Sequence, residues 1–144
     1  MQGLYFDELS VGQAAEAIHV VGEADVEAFA AVSGDFNPVH MDEVYASATP
    51  FGGRIAHGML AAAYISAVLG NQLPGPGAIY LSQSLRFRRP VRIGDPVTAR
   101  VTVKALDAAK SHATFETACL VGGKTVVEGE ALIMVPRRDG PAKP

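Results

Sequence analysis

Met59-Leu60-Ala61-Ala62-Ala63-Tyr64-Ile65-Ser66-Ala67-Val68-Leu69, closed by Gly70, is the stretch on which the fold turns. Its residues favour helix, it carries almost no polar face, and glycine is a frequent helix stop. A helix that is apolar all round is expected to be buried all round. It is also too short for a bilayer, which takes about 20 residues to cross. Beyond the Pro/Gly loop at 74–77 the period changes to two. Ile79, Leu81, Leu85 and Phe87 alternate with Tyr80, Ser82, Ser84, Arg86 and Arg88, with Gln83 a polar intruder on the apolar side. Val97, Ala99, Val101 and Val103 alternate with Thr98, Arg100, Thr102 and Lys104, the mark of strands with one buried face. Residues 112–121 and 124–135 read as two further strands joined by a Gly122-Gly123 hairpin turn.

Upstream, residues 14–21 suggest a first strand and Glu23 to Val32 a helix, with Val26, Phe29, Ala30 and Val32 on one side and Gly34 as its stop. Glu23, Asp25 and Glu27 stand early in that helix, where the dipole favours negative charge. One buried helix and about five strands linked by short turns predict an α+β fold, an antiparallel sheet curled around the helix. A single domain over residues 1–136 is expected, followed by a flexible tail at 137–144 rich in Pro, Gly, Lys and Arg.

Composition narrows the function. At 49% hydrophobic and 19% charged residues the chain belongs with folded rather than disordered proteins. A net charge of −3 without a dense Lys/Arg block argues against nucleic acid as ligand. Cys119 is the single cysteine, in an apolar run, so there is no disulfide frame and no thiolate metal site. His19 and His112 lack metal-ligand spacing, and no metal is expected. Residues Met1 to Glu8 lack the basic and apolar segments of a signal peptide, so a cytoplasmic protein without membrane association is expected.

Asp35 to Gly53 has no sustained period apart from a short helix over Asp42 to Ala48, and long irregular segments in compact domains commonly carry function. Gly34-Asp35-Phe36-Asn37-Pro38-Val39-His40 places a carboxylate and an imidazole just past a helix end, the groups an acid/base pair needs. Taken alone, the same residues also read as turn formers and a hydrogen-bonded loop histidine. Thr49 to Leu60 then runs into the apolar helix, with Gly58 in its first turn, where N–H groups are unpaired and the dipole is positive. Gly58 either offers a donor to a polarised carbonyl or permits close packing against the sheet, and spacing does not separate the two. Ser66 either back-bonds to the Ala62 carbonyl or orients the Asp/His pair. His57 reads as a residue that shapes the loop.

Together, Gly34-Asp35-Phe36-Asn37-Pro38-Val39-His40 and Phe51-Gly52-Gly53-Arg54-Ile55-Ala56-His57-Gly58-Met59-Leu60 resemble the MaoC-like hydratase motif, most of all that of the (R)-specific enoyl-CoA hydratases of polyhydroxyalkanoate synthesis. The resemblance implies a hot-dog fold, a homodimer and no cofactor beyond the coenzyme A of the substrate. It implies that Asp35 and His40 are the catalytic dyad, Gly58 the oxyanion donor and Ser66 a supporting hydroxyl. Water held by the dyad would add to the β-carbon of a trans-2-enoyl thioester, with Asp35 as base. Substrate contacts are expected from Asn37, from Leu69 with Leu132 along the acyl chain, and from Arg86 and Arg88 at the phosphates of coenzyme A or an acyl-carrier-protein arm. Three alternatives stand beside this: a (3R)-hydroxyacyl-carrier-protein dehydratase running the reaction backwards, a hot-dog thioesterase, and a non-catalytic acyl-CoA-binding domain.

Overall fold

The computed structural model describes residues 2–139. After a 3-10 turn at Phe6–Glu8, the chain forms β1 (Ala14–Val20), α1 (Glu23–Ser33), α2 (Pro38–Met41), α3 (Glu43–Ser47) and α4 (Gly58–Asn71). Five strands follow: β2 (Ile79–Gln83), β3 (Arg86–Phe87), β4 (Pro96–Asp107), β5 (His112–Val121) and β6 (Lys124–Met134). Every strand pairing is antiparallel, in the order β1-β4-β5-β6-β2, with β3 also on β6. Alternation turns Val97, Val101 and Val103 of β4, Phe115 of β5 and Ile133 of β6 onto one face, where they are buried in a core shared with α4. Gly122 and Gly123, at φ of 57° and 77°, supply the two positive-φ positions that a tight turn between β5 and β6 requires. This is the α+β, hot-dog arrangement expected: an antiparallel sheet packed against one long helix.

α4 departs from the expectation of burial all round. Leu60, Ala61, Ile65, Val68 and Leu69 are buried against the sheet, whereas Met59, Ala63, Ser66 and Ala67 are exposed in the single chain. The sheet covers one side of the helix, and the other is lined by small residues whose hydropathy cannot distinguish a core from an uncovered face.

The alternating stretch from Ile79 to Arg88 is likewise not one half-buried strand. It breaks between β2 and β3, and Leu81 and Phe87 are 42% and 54% exposed. The break lies where β6 passes closest: a Cβ on Gly129 would sit 1.8 Å from the Ser84 carbonyl oxygen, so glycine is required there. Val32 is also exposed, because α1 packs through Val26 and Ala30.

Gly22 caps α1 with extended backbone, and the Asp25 carboxylate reaches back to accept its N–H at 2.7 Å. Gly34 ends the helix at φ +80°, its N–H on the Ala30 carbonyl at 2.8 Å. At the other end of the chain, Arg137 donates to the Ala108 carbonyl at 3.0 Å. Residues 140–144 of the expected flexible tail lie outside the described residues. Among the described residues no helix is long and apolar enough to cross a membrane.

The bond from the Gly22 N–H holds the Asp25 carboxyl below its ordinary value of 3.8. A depressed pKa means stability that is present above the ordinary carboxylate range and lost as pH falls through the folded-state value. Asp25→Ala is therefore expected to cost about 1 kcal/mol at neutral pH. In urea melts the gap between the two proteins should close on acidification; a gap independent of pH would contradict the assignment.

Candidate active site

The end of α1 delivers the first half of the site. Ser33 Oγ accepts the Asp35 N–H at 3.1 Å, the Asp35 carboxylate accepts the Asn37 N–H at 3.1 Å, and Asn37 caps α2 by accepting the Val39 N–H at 3.2 Å. Pro38, at the first helical position, forgoes no bond there. Asn37 is thus a turn residue here, and the single turn of α2 carries His40 round to the buried side while Asp35 stays exposed.

The second half folds back onto the first through two reciprocal bonds. His40 Nδ1 lies 2.8 Å from the Ile55 carbonyl oxygen, and His57 Nε2 lies 2.9 Å from that of Asp35. A carbonyl only accepts, so His40 carries its proton on Nδ1 and His57 on Nε2. In the neutral imidazole, His40 Nε2 is then a free acceptor. The two rings lie against each other with centroids 4.0 Å apart, and Phe29 backs His57 at 4.9 Å. Arg54 adds a third tie. Its Nε donates to the His40 carbonyl at 2.6 Å, its guanidinium pairs with Glu23 of α1 at 2.6 Å, and its backbone N–H meets Glu43 of α3 at 3.2 Å.

One ligand-capable atom from each of Asp35, His40 and His57 falls within 4.8 Å of the others. By residue type these three are a possible metal set. Each imidazole, however, commits one nitrogen to a main-chain carbonyl, and the two rings lie tilted by 30° with centroids 4.0 Å apart. The span of up to 4.8 Å also admits a water: two acceptors sharing one water through bonds of about 2.8 Å at a tetrahedral angle stand roughly 4.6 Å apart.

Beside His40 opens a mainly apolar cavity of about 480 Å³, walled by Gly58, Phe51, Met59, Phe87 and Val91. Gly58 is the first residue of α4, so its N–H has no intrahelical partner. A Cβ there would lie 2.6 Å from the Phe87 ring. Close packing against the strand is therefore real, and it coexists with a donor position on the cavity wall.

The remaining candidates separate. Ser66 is on the uncovered face of α4, and among the described residues its hydroxyl bonds neither Asp35, His40 nor the Ala62 carbonyl. Leu69 is 2% exposed in the core and does not line the cavity; Leu132, alternating with buried Ala131 and Ile133, points to the other face of β6. Those two leucines cannot share an acyl pocket within one chain. Arg88 lines the cavity and pairs with Glu128, its Nε at 2.8 Å, whereas Arg86 lines a groove with Arg100 and Glu116. The expected common face fails because β3 ends at Phe87, before the alternation reaches Arg88. Sequence reading missed the contribution of Arg54; nothing in the spacing announces that a loop arginine will reach the main-chain carbonyl of His40.

The family described as MaoC like domain matches residues 9–126. The chain is 56% identical over 134 residues to the (R)-specific enoyl-CoA hydratase of Rhodospirillum rubrum, covering 93% of each. It is 48% identical to the 3-hydroxybutyryl-CoA dehydratase of Methylorubrum extorquens, over 94% of this chain and 87% of that one. An unliganded R-hydratase structure from Pseudomonas aeruginosa superposes with a TM-score of 0.90 at 46% identity, over 99% of this chain and 94% of the other.

Arg54→Met removes the donor to the His40 carbonyl and the partner of Glu23. With Glu23 largely exposed, most of the expected loss of about 1.5–3 kcal/mol comes from the buried bond. Arg54→Lys should recover little, since an ammonium cannot reproduce the planar fork. Urea denaturation checks both; a loss below about 0.5 kcal/mol in Arg54→Met would show that the tie carries no net stability.

Proposed function

This chain belongs to the MaoC-like domain family, and from that premise we propose that it catalyses the (R)-specific hydration of trans-2-enoyl-CoA to (R)-3-hydroxyacyl-CoA. It is a hydro-lyase, as its near relatives are. The observation that carries the finer reading is the stitched Asp35–His40 pair beside an apolar cavity, with Gly58 on the wall.

Two acceptors face the water, the Asp35 carboxylate and His40 Nε2. A water that donates one hydrogen to each turns a lone pair toward the β-carbon of the enoyl group. The C–O bond forms as Asp35 takes a proton, and the C=C electron pair moves onto the thioester oxygen, which the Gly58 N–H stabilises as an enolate. The enolate collapses when Asp35 returns that proton to the α-carbon on the same face. Because neutral His40 has no proton to give from Nε2, the proton delivered is the one taken from water. The cycle closes on the chain's own groups, so no cofactor is required. Arg88 is suited to the phosphates of coenzyme A; Arg86, in its separate groove, is not.

The reading extends to the whole molecule: one catalytic domain over residues 1–136, acting in the cytoplasm as a homodimer. The uncovered small-residue face of α4 supports the dimer, and it is the setting in which Ser66 could meet a dyad.

Incubation with crotonyl-CoA tests the proposal. Loss of the enoyl absorbance without thiol release, with (R)-3-hydroxybutyryl-CoA as product, is expected, and Asp35→Asn or His40→Gln should cut turnover by at least about 100-fold. Free thiol would indicate a thioesterase. Binding without turnover, unaffected by Asp35→Asn, would indicate a binding domain.

A further inference from the structure

We propose that His57 is a positioning residue for this reaction, fixing the dyad by holding the main chain of Asp35 through Nε2–H and backing the ring of His40. This rests on the hydration reading above.

His57 is 2% exposed, and its Nδ1 has no hydrogen-bond partner among the described residues. Buried nitrogens are rarely left so, because desolvation is uncompensated. A phenylalanine would fill the same space between Phe29 and His40 without that penalty. What it could not do is donate to the Asp35 carbonyl, which His57 reaches at 2.9 Å. The histidine is therefore a poor choice for packing and a good one for that bond.

The bond matters because of where Asp35 stands. It follows Gly34, the positive-φ residue that ends α1, and its side chain is exposed. Among the described residues no side chain bonds its carboxylate, which accepts only the nearby Asn37 N–H. Anchoring the carbonyl fixes the peptide plane from which the carboxylate departs. His40 is held by the single bond from Nδ1 to Ile55, which leaves its ring free to rock about that axis; the His57 ring, 4.0 Å away, closes one side. Both members of the dyad thus take their position from one residue that need not touch substrate.

Two variants separate this from a packing role. His57→Phe keeps a ring and deletes the donor, whereas His57→Gln keeps an N–H near the Nε2 position and deletes the ring. Crotonyl-CoA kinetics should show kcat reduced about 10- to 100-fold in His57→Phe with KM little changed. Its melting temperature should stay close to wild type, because the loss of the bond to the Asp35 carbonyl is offset by removal of the unpartnered nitrogen. His57→Gln should recover a large part of kcat. Wild-type kcat in His57→Phe, a kcat loss matched by a lower melting temperature, or His57→Gln no better than His57→Phe would each overturn the proposal. Amide exchange gives a readout independent of turnover: the Asn37 and Val39 amides should exchange faster in His57→Phe than in wild type, and equal rates would count against it. A wild-type protein silent on enoyl thioesters sinks the hydration reading instead, and the exchange comparison still decides the role of His57.

Discussion

Two hydrogen bonds of opposite direction hold this site together: His40 to the carbonyl of Ile55, and His57 to the carbonyl of Asp35. Each joins one half of the irregular segment to the other, so neither half can shift without breaking a bond made by its partner. Carbonyl acceptors leave no freedom about which ring nitrogen bears the proton. The same two contacts that fix position also fix chemistry, since they leave His40 Nε2 as an acceptor beside the Asp35 carboxylate. Arg54 seals the arrangement by tying the His40 carbonyl to Glu23 on α1.

The fold serves this loop more than it contributes chemistry of its own. α1 ends in a positive-φ glycine that turns the chain at Asp35, and α4 begins at Gly58, so the Asp35–His40 pair and the open helix terminus stand at the same end of the core. The sheet supplies the other wall. Where β2 gives way to β3 at Ser84, against Gly129 of β6, the chain leaves its regular alternation, and Phe87 and Arg88 come to line the cavity by His40. Strict alternation through Arg88 would have buried Phe87 instead.

Much of the fold was legible because local physics and tertiary packing agree. The period-two runs at 97–104 and 112–121 face one core, and Gly122-Gly123 is a turn that few other residue pairs could make. Asp35, His40 and Gly58 could be singled out from their motif, and the structure brings them to one place. Other features depend on partners distant in sequence. The exposed face of α4 looks the same as a buried one in composition; the chain at Ser84 packs against the backbone of Gly129, far along the sequence; the separation of Leu69 from Leu132 follows from which face of β6 turns inward. For Arg54 and His57 the residues were visible but their targets were main-chain carbonyls, and a carbonyl carries no residue-specific signal.

The claim on which the rest stands is that the neutral His40 ring carries its proton on Nδ1, in the bond to the Ile55 carbonyl, and leaves Nε2 free for water. Long-range nitrogen–proton correlation spectra of the protein labelled with 15N-histidine, at neutral pH, test it directly, with His40→Gln and His57→Gln assigning the two rings. The account predicts a protonated Nδ1 and bare Nε2 for His40, and the reverse for His57. A neutral His40 ring with its proton on Nε2 and a bare Nδ1 would contradict it.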